Sequence, residues 1–456
     1  MLKGSFGHGY SEGRGVSVVD QKRLPVDIFK LDAARLQQGW YSDHYFNNST
    51  FILGSLAEQG YRFQGACAAL AGQGVDVSQV DVGNIEVDMQ YFTRRAPFSL
   101  VAGVDETLAM FKLCTGFHDD QGRFVNTADN LEIDAVHDGV KVAPWEPVMR
   151  VRGRYRDFAI LETPTLGALS RRTRIATNVY QALQASGGKP LLFFPARFDI
   201  YEAQAGDGYA YRIAVDVWNL ERHDSLEAYI STEAQGEWWG GKGSGTMAHA
   251  YLLCFLRDTV EATLRFASLL PAEIKRVALV DVNNDCVGDS VRTAVAMFRR
   301  YRKHLEAGRP KDAERYVLFG VRPDTSGDMI DVSVTPLGDP ALDCGVNPRL
   351  VRNLRDALDT LADHIDLPYD WLERARRYFR NIKIVATGGF TPQRIQQFET
   401  LRVPVDIYGV GSFFFAGENN DFTADIVRVK INGNWHDMAK TGRGARQSAQ
   451  LQPVVY

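Results

Sequence analysis

Residues 381–412 read "NIKIVATGGFTPQRIQQFETLRVPVDIYGVGS". An apolar run stops at Gly388 and Gly389. Thr391-Pro392 then opens a stretch with helical spacing, and a second apolar run stops at Gly409, Gly411 and Ser412. Short, continuously apolar runs are the pattern of strands buried on both faces, and a helix between two of them makes the pair parallel. Both strands end in glycine, where backbone N–H groups can approach an anion closely, and the helix start adds a favourable dipole. Each turn alone could be a simple tight turn. On consecutive strands, Gly388, Gly389, Gly409, Gly411 and Ser412 form a candidate phosphate cradle, placed where βα barrels bind phosphate.

The same rhythm extends upstream to about residue 160. "SRRTRIATNVYQALQASG" (170–187) has helical spacing and "KPLLFFPAR" (189–197) a short buried strand. "IKRVALVDVNND" (274–285) and "RYVLFGVRPDTSGD" (315–328) are strands with polar residues at their C-terminal ends. Helices are expected over 289–305, "DSVRTAVAMFRRYRKHL", and 347–364, "NPRLVRNLRDALDTLADH". Strand, polar turn and helix in alternation imply a parallel sheet, and polar clusters at successive strand ends suit the active face of a barrel. Before residue 160 the pattern differs. "LDAARLQQGW" (31–40) and "DETLAMFKLCTGF" (105–117) are expected as helices. "YFNNSTFIL" (45–53) and "IEVDMQYFTR" (85–94) are expected as extended, and "DGVKVAPWEPVMRVRGRY" (138–155) as two strands about a turn. The first 30 or so residues are glycine-rich and irregular. The tail "TADIVRVKINGNWHDMAKTG" (423–442) predicts two strands about an Asn-Gly turn that return to the first domain.

Bulk properties narrow the function. The 456 residues are 45% hydrophobic and 24% charged, which supports a large core in two or three domains. A formal charge of −4 argues against general nucleic-acid binding but permits a local basic pocket. Five scattered cysteines, Cys67, Cys114, Cys254, Cys286 and Cys344, form no CxxC pair and suggest neither a zinc site nor a disulfide framework. With no apolar leader or long apolar span, a soluble, cytoplasmic protein is expected.

Other chemistry gathers at strand ends. In "VRPDTSGD", Arg322 can grip phosphate or carboxylate, while Asp324 and Asp328 can hold Mg²⁺ or ribose hydroxyls; the alternative is a surface ion-pair cluster. "VDVNNDCVGD" (280–289) offers Asp281, Asn283, Asn284 and Asp285 as rim ligands or as a helix cap. Arg197 follows a strand in "FFPARFD" and is either an anion clamp or a solvated arginine. "WYSDHYF" (40–46) is aromatic around Asp43 and Tyr45, suited to ring stacking, a core or a dimer seam. In "WWGGKGSGTMAHAYLL" (238–253), glycines and Lys242 precede Thr246 and His249. His249 is either a structural histidine or, beside phosphate-loop chemistry, an imidazole nucleophile toward phosphorus. The GxxxxGK[ST] pattern of a P-loop is absent.

Together, "YSDHYF", "EPVMRVRG", "LETPTLGALSRRTRIATN", "PARFD", "WWGGKGSGTMAHA", "VRPDTSGD", "ATGGF", "YGVGS" and "VRVKINGNWHDMAK" appear in the order of one family. The chain resembles nicotinate phosphoribosyltransferase, and more distantly nicotinamide phosphoribosyltransferase. The resemblance implies an α/β fold of two parts. An irregular β/α barrel spans 159–414, and an open-faced α/β sandwich is formed by 1–158 and completed by 415–456. It implies a homodimer with shared active sites that joins nicotinate to phosphoribosyl pyrophosphate (PRPP) in NAD biosynthesis, with Mg²⁺ and ATP, through a phosphohistidine. Carried onto this sequence, the phosphohistidine is His249, with Arg322 and Asp324 at PRPP and the base. Gly388, Gly389, Gly409 and Gly411 cradle the 5′-phosphate, Thr246 lies in the substrate site, and Arg197 serves the base. Phe194 and Tyr45 of the partner subunit stack on its ring.

Two positions depart from the family pattern. Phe198 stands where many relatives have a second arginine, and Asn178 where many have lysine. The family's acidic or hydroxyl residue before the glycine loop is ambiguous among Ser231, Thr232 and Glu233. A decarboxylating quinolinate-type transferase, a non-catalytic pyridine-nucleotide binder and an unrelated sugar-phosphate barrel enzyme are the competing readings.

Overall fold

The computed structural model describes residues 22–416 and 418–455. The glycine-rich segment expected at the N-terminus lies outside them as far as residue 21. From the N-terminal side, the chain forms helix α1 (His44–Glu58), strand β1 (Glu86–Thr93), helix α2 (Val104–Cys114), and strands β2 (Glu132–Ala135) and β3 (Pro147–Arg154). The 25-residue helix α3 (Glu162–Ser186) leads into the alternating half. There β4 (Leu191–Phe193), α4 (Gln204–Arg222) and β5 (Tyr229–Ile230) precede the short α5 (His249–Cys254) and α6 (Thr259–Leu269). Next come β6 (Arg276–Leu279), α7 (Cys286–Glu306), β7 (Leu318–Arg322), α8 (Pro348–Thr360) and α9 (Leu372–Arg380). The half ends with β8 (Lys383–Ala386), α10 (Pro392–Thr400) and β9 (Ile407–Val410). The tail adds β10 (Phe422–Ile431), β11 (Asn434–Asp437) and β12 (Gln452–Pro453).

The alternating half builds a curled parallel sheet in the order β6-β7-β8-β9-β4-β5, a half-barrel. Helices cover its outside, and their apolar faces meet the strands in a core that includes Phe193, Tyr211, Phe298, Ile384 and Tyr408. Among the described residues β5 and β6 are not paired. A bridge from Ile230 to Gly243 lays the glycine loop beside β5, at the open side.

The second sheet is antiparallel, β11-β10-β1-β3-β2-β12. The tail's β10 lies beside β1, pairing Phe422 with Thr93 and Val429 with Val87. Val87, Met89 and Tyr91 on one face of β1 pack with α2 residues such as Phe111, while Asp88, Gln90 and Phe92 face the other way. No helix among the described residues is long and apolar enough to cross a membrane. All five cysteines are unpaired.

One expectation fails. "YFNNSTFIL" is not extended but forms most of α1. Its aromatic and β-branched residues favour strands, yet packing overrides that preference. Phe46 is buried, Asn47 donates to the carbonyl of Gly39, and Gly83 approaches so closely that a Cβ there would lie 2.3 Å from the backbone nitrogen of Ala57.

Candidate active site

The ends of β7, β8, β9 and β4 converge. Arg322, the last residue of β7, is 9% exposed. It donates from Nη2 to the carbonyl of Met247 at 2.9 Å, tying the glycine loop to the strand end, and its Nη1 lies 3.6 Å from Oδ2 of Asp324. Burial pushes the guanidinium's pKa down, while the carboxylates of Asp324 and Asp281 oppose that shift. Its Nε is buried without a hydrogen-bond partner, so part of its donor capacity is unspent.

Asp324 is held from the neighbouring strand. Thr387, just after β8, donates from Oγ1 to Asp324 Oδ1 at 2.7 Å. The next two residues, Gly388 and Gly389, have φ of 98° and 69°, the left-handed region that favours glycine. Thr391 caps α10 by accepting from Arg394 N at 3.3 Å. Arg394 buttresses the turn from behind, donating to the carbonyls of Gly388 at 2.8 Å and Val346 at 2.9 Å.

Gly409 on β9 serves close packing. A Cβ there would lie 2.4 Å from Cγ2 of Thr387 and 3.3 Å from the ring of Phe194. Its absence lets Thr387 and Phe194 meet across β9. Phe194 is fixed by its own N–H on Val410 O at 3.0 Å. A Cβ on Gly411 would meet the ring of Phe198 at 2.6 Å, so the departure at Phe198 covers the second glycine turn. Arg197 is exposed on the rim, its guanidinium 5.5 Å from the Phe198 ring centroid and near enough to Arg322 to help lower that group's pKa. Ser412 begins the turn after β9 and is exposed.

The other departure has a structural account. Asn178 on α3 donates to the carbonyls of Phe414 at 3.2 Å and Ala416 at 2.9 Å, holding the segment after Ser412. Its Oδ1 accepts from Nη2 of Arg95 at 2.8 Å. The buried Arg95 thus places a cation directly beside Asn178.

His249 stands at the first position of α5, its side chain 45% exposed, with Nε2 2.9 Å from Oδ2 of Asp281. Asp281 follows β6 and is nearly buried. Burial raises its carboxyl pKa, and the contact with His249 works against that rise. Its Oδ1 has no hydrogen-bond partner. The other polar residues of that stretch are structural. Asp285 caps α7 through Gly288 N at 2.9 Å, Asn284 donates to Ile330 O at 2.8 Å, and Asn283 to Arg257 O at 3.1 Å. Asp328 pairs with Ser326 on an exposed turn.

Thr246 and Phe194 line a cavity of about 840 Å³ that runs through the open side of the half-barrel, with Lys242, Lys275 and Phe319. At the end of β5, Gln235 Oε1 accepts from the backbone N–H groups of Ser231 and Thr232 at 2.9 and 3.2 Å. Tyr45 stands apart. It is 61% exposed on α1, donates to Asp43 Oδ2 at 3.0 Å and packs on Phe46. The structure therefore gathers Arg322, Asp324, Phe194 and the late glycines, sets the His249–Asp281 pair on the adjoining strand end, and leaves Tyr45 outside. Thr387, Arg394 and Asp281's special role went unseen in the sequence. The only available signal was the position of each at a strand end or in a first helical turn.

Residues 76–173 match the sequence profile of the quinolinate phosphoribosyl transferase N-terminal domain. Nicotinate phosphoribosyltransferase pncB1 of Mycobacterium tuberculosis is 24% identical over 298 residues, covering 59% of this chain and 64% of that protein. The chain thus matches a little under two thirds of that relative's length. In three dimensions it aligns with a nicotinate-nucleotide pyrophosphorylase from Pyrococcus furiosus at a TM-score of 0.62 and 23% identity, over 93% of this chain and 85% of that one. It aligns with human nicotinic acid phosphoribosyltransferase at 0.51 and 14% identity, over 85% and 74%. The two solved structures establish the fold, a half-barrel joined to a sandwich, and in sequence the chain is similar to a nicotinate phosphoribosyltransferase over a little under two thirds of that protein's length.

Proposed function

We propose that the chain transfers the phosphoribosyl group of PRPP to nicotinate, giving nicotinate mononucleotide and pyrophosphate, with ATP hydrolysis coupled through phosphorylation of His249. The observation that carries the proposal is the His249–Asp281 pair beside the Arg322–Asp324–Thr387 array. The pyridine nitrogen attacks C1 of the ribose as the bond to pyrophosphate breaks. Positive charge grows on the sugar and negative charge on the leaving group. Asp324, held by Thr387, faces the first, and the unspent Nε of Arg322 the second. The amides around Gly388 and Gly389, with the Gly409–Ser412 turn, hold the 5′-phosphate. Phe194 offers a ring to the pyridine and Arg197 a cation to its carboxylate.

With Nε2 of His249 donating to Asp281, the lone pair sits on Nδ1. That nitrogen attacks the terminal phosphorus of ATP, ADP leaves, and Asp281 balances the charge gained by the ring. Among the described residues no group of three or more His, Cys, Asp or Glu could hold a metal ion. Mg²⁺ accordingly suits a place on the substrate phosphates, with Asp281 or Asp324 as its protein ligand, where it would neutralise phosphate charge. Exposed Trp40, Tyr45, Phe51 and Ile52 on and before α1 supply an apolar face for a homodimer.

Incubation with ATP and Mg²⁺ should add one phosphate to His249, seen by peptide mass, and none to His249→Ala. That variant should remain folded and lose ATP stimulation of nicotinate mononucleotide formation. Phosphate persisting on the variant refutes the coupling. The profile match over 76–173 favours one second reading, a quinolinate-type enzyme. Release of CO₂ from quinolinate with PRPP, unaffected by ATP, would select it.

A further inference from the structure

Trp145, in the turn before β3, has φ of 71°. A bulky residue in the left-handed region is an outlier, and such strain tends to gather where a side chain is needed in one place. Its indole lies on the sheet face opposite the Tyr91 core, stacked on Phe92 with centroids 5.3 Å apart and planes 26° from parallel. Three guanidinium carbons surround it: Arg94 at 5.2 Å, Arg443 at 5.3 Å and Arg446 at 5.0 Å from the ring centroid. They come from the end of β1 and from the tail, whose Arg446 backbone N–H is clipped to Gln90 Oε1 at 3.0 Å.

Charge around the indole is unbalanced. Arg443 pairs with Asp425 at 3.3 Å, and Arg94 donates to the neutral hydroxyl of Thr423 at 3.0 Å. The side chain of Arg446 makes no hydrogen bond or ion pair among the described residues. Two of three cations thus lack a carboxylate, although the chain carries net negative charge. Attraction to an aromatic face compensates only part of the repulsion between cations brought this close. Guanidinium forks match phosphoryl oxygens two at a time, and Arg94 and Arg446 are exposed enough to turn toward such a ligand.

We propose that Trp145 with Arg94, Arg443 and Arg446 forms a second anion site, on the sandwich sheet, for adjacent phosphoryl groups. Free pyrophosphate and the phosphate tail of a nucleotide share that chemistry. The site is independent of the activity assigned to the barrel.

The indole is its own reporter. Titrating the full chain with inorganic pyrophosphate should change tryptophan emission by a component that Trp145→Phe lacks. The Kd from that component should weaken at least tenfold in Arg94→Gln/Arg446→Gln and stay unchanged in Arg322→Met, which disables the barrel site. Should the double variant fail to fold, Arg446→Gln alone serves, since its head group holds nothing else, and its Kd should weaken several-fold. A parallel titration with ATP separates the two sources: tighter binding of ATP marks a nucleotide site, and tighter binding of pyrophosphate a site for the free anion. A Trp145 signal that is absent, that the arginine variants leave unchanged, or that Arg322→Met abolishes, overturns the assignment.

Discussion

Asp281 decides what His249 can do. Its sequence neighbours Asn283, Asn284 and Asp285 present the same polar chemistry, and only geometry separates the one carboxylate that meets the imidazole from three residues that secure a turn and a helix cap. Asp281→Asn keeps the shape but removes the charge that holds the ring and that, in the proposed mechanism, would balance its phosphorylation. The rate of phosphate incorporation from ATP should fall by about 10²-fold, with the fold intact, in a quench assay. Glu162 bears on pH. Burial, and then Asp425 and Asp43, push its carboxyl up to about 8. In the folded chain it binds a proton that the unfolded chain releases near pH 4.5, so stability falls as pH rises from about 4.5 through 8. Glu162→Gln should melt higher than the parent at pH 8.5 and equal to it at pH 4. An equal difference at both pH values would contradict the assignment. Nothing in "LETPTL" announces this, because the shift comes from residues distant in sequence.

At the scale of elements, the strands were legible because their burial is written into continuous apolar runs, and their glycine ends punctuate them. What the runs conceal is how near the strands lie. Gly409 was expected to serve phosphate, and its local role is to admit the methyl of Thr387 and the ring of Phe194. Gly409→Ala therefore forces those neighbours apart. It should destabilise the chain by about 1–3 kcal/mol in denaturant unfolding and raise the KM for PRPP, because Thr387 holds Asp324. Helix α1 departs from the pattern of its sequence for the opposite reason. Phe51 and Ile52 suggest a strand by composition, yet both are largely exposed on a helix that packs through Phe46 and a glycine turn. Asn178 shows the same limit: its relation to Arg95 crosses 83 positions and leaves no local pattern.

The whole molecule raises the question of where Tyr45 acts. It neighbours the start of α3, where Asp43 accepts from Thr163 Oγ1 at 3.0 Å. Arg171 of the same helix reaches the barrel rim at Asp199, 2.7 Å away. Those points on α3 are eight residues apart, about 12 Å along its axis. If the pyridine binds beside Phe194 as proposed, a ring exposed beside the start of that helix is offset along it from its own chain's site. In a twofold dimer it can stack on the pyridine in the other chain, and the exposed Trp40, Phe51 and Ile52 around it provide apolar surface to bury. The two arrangements differ in genetics as well as geometry. Tyr45→Ala and His249→Ala should each be nearly inactive in ATP-stimulated synthesis. If Tyr45 serves its own chain, every site in a mixture of the two remains defective. If it serves the partner, random pairing after subunit exchange restores one complete site in each mixed dimer, about a quarter of all sites. Activity approaching that fraction after co-refolding or co-expression is the expected result, and a mixture no more active than its components would place Tyr45 outside the partner's site.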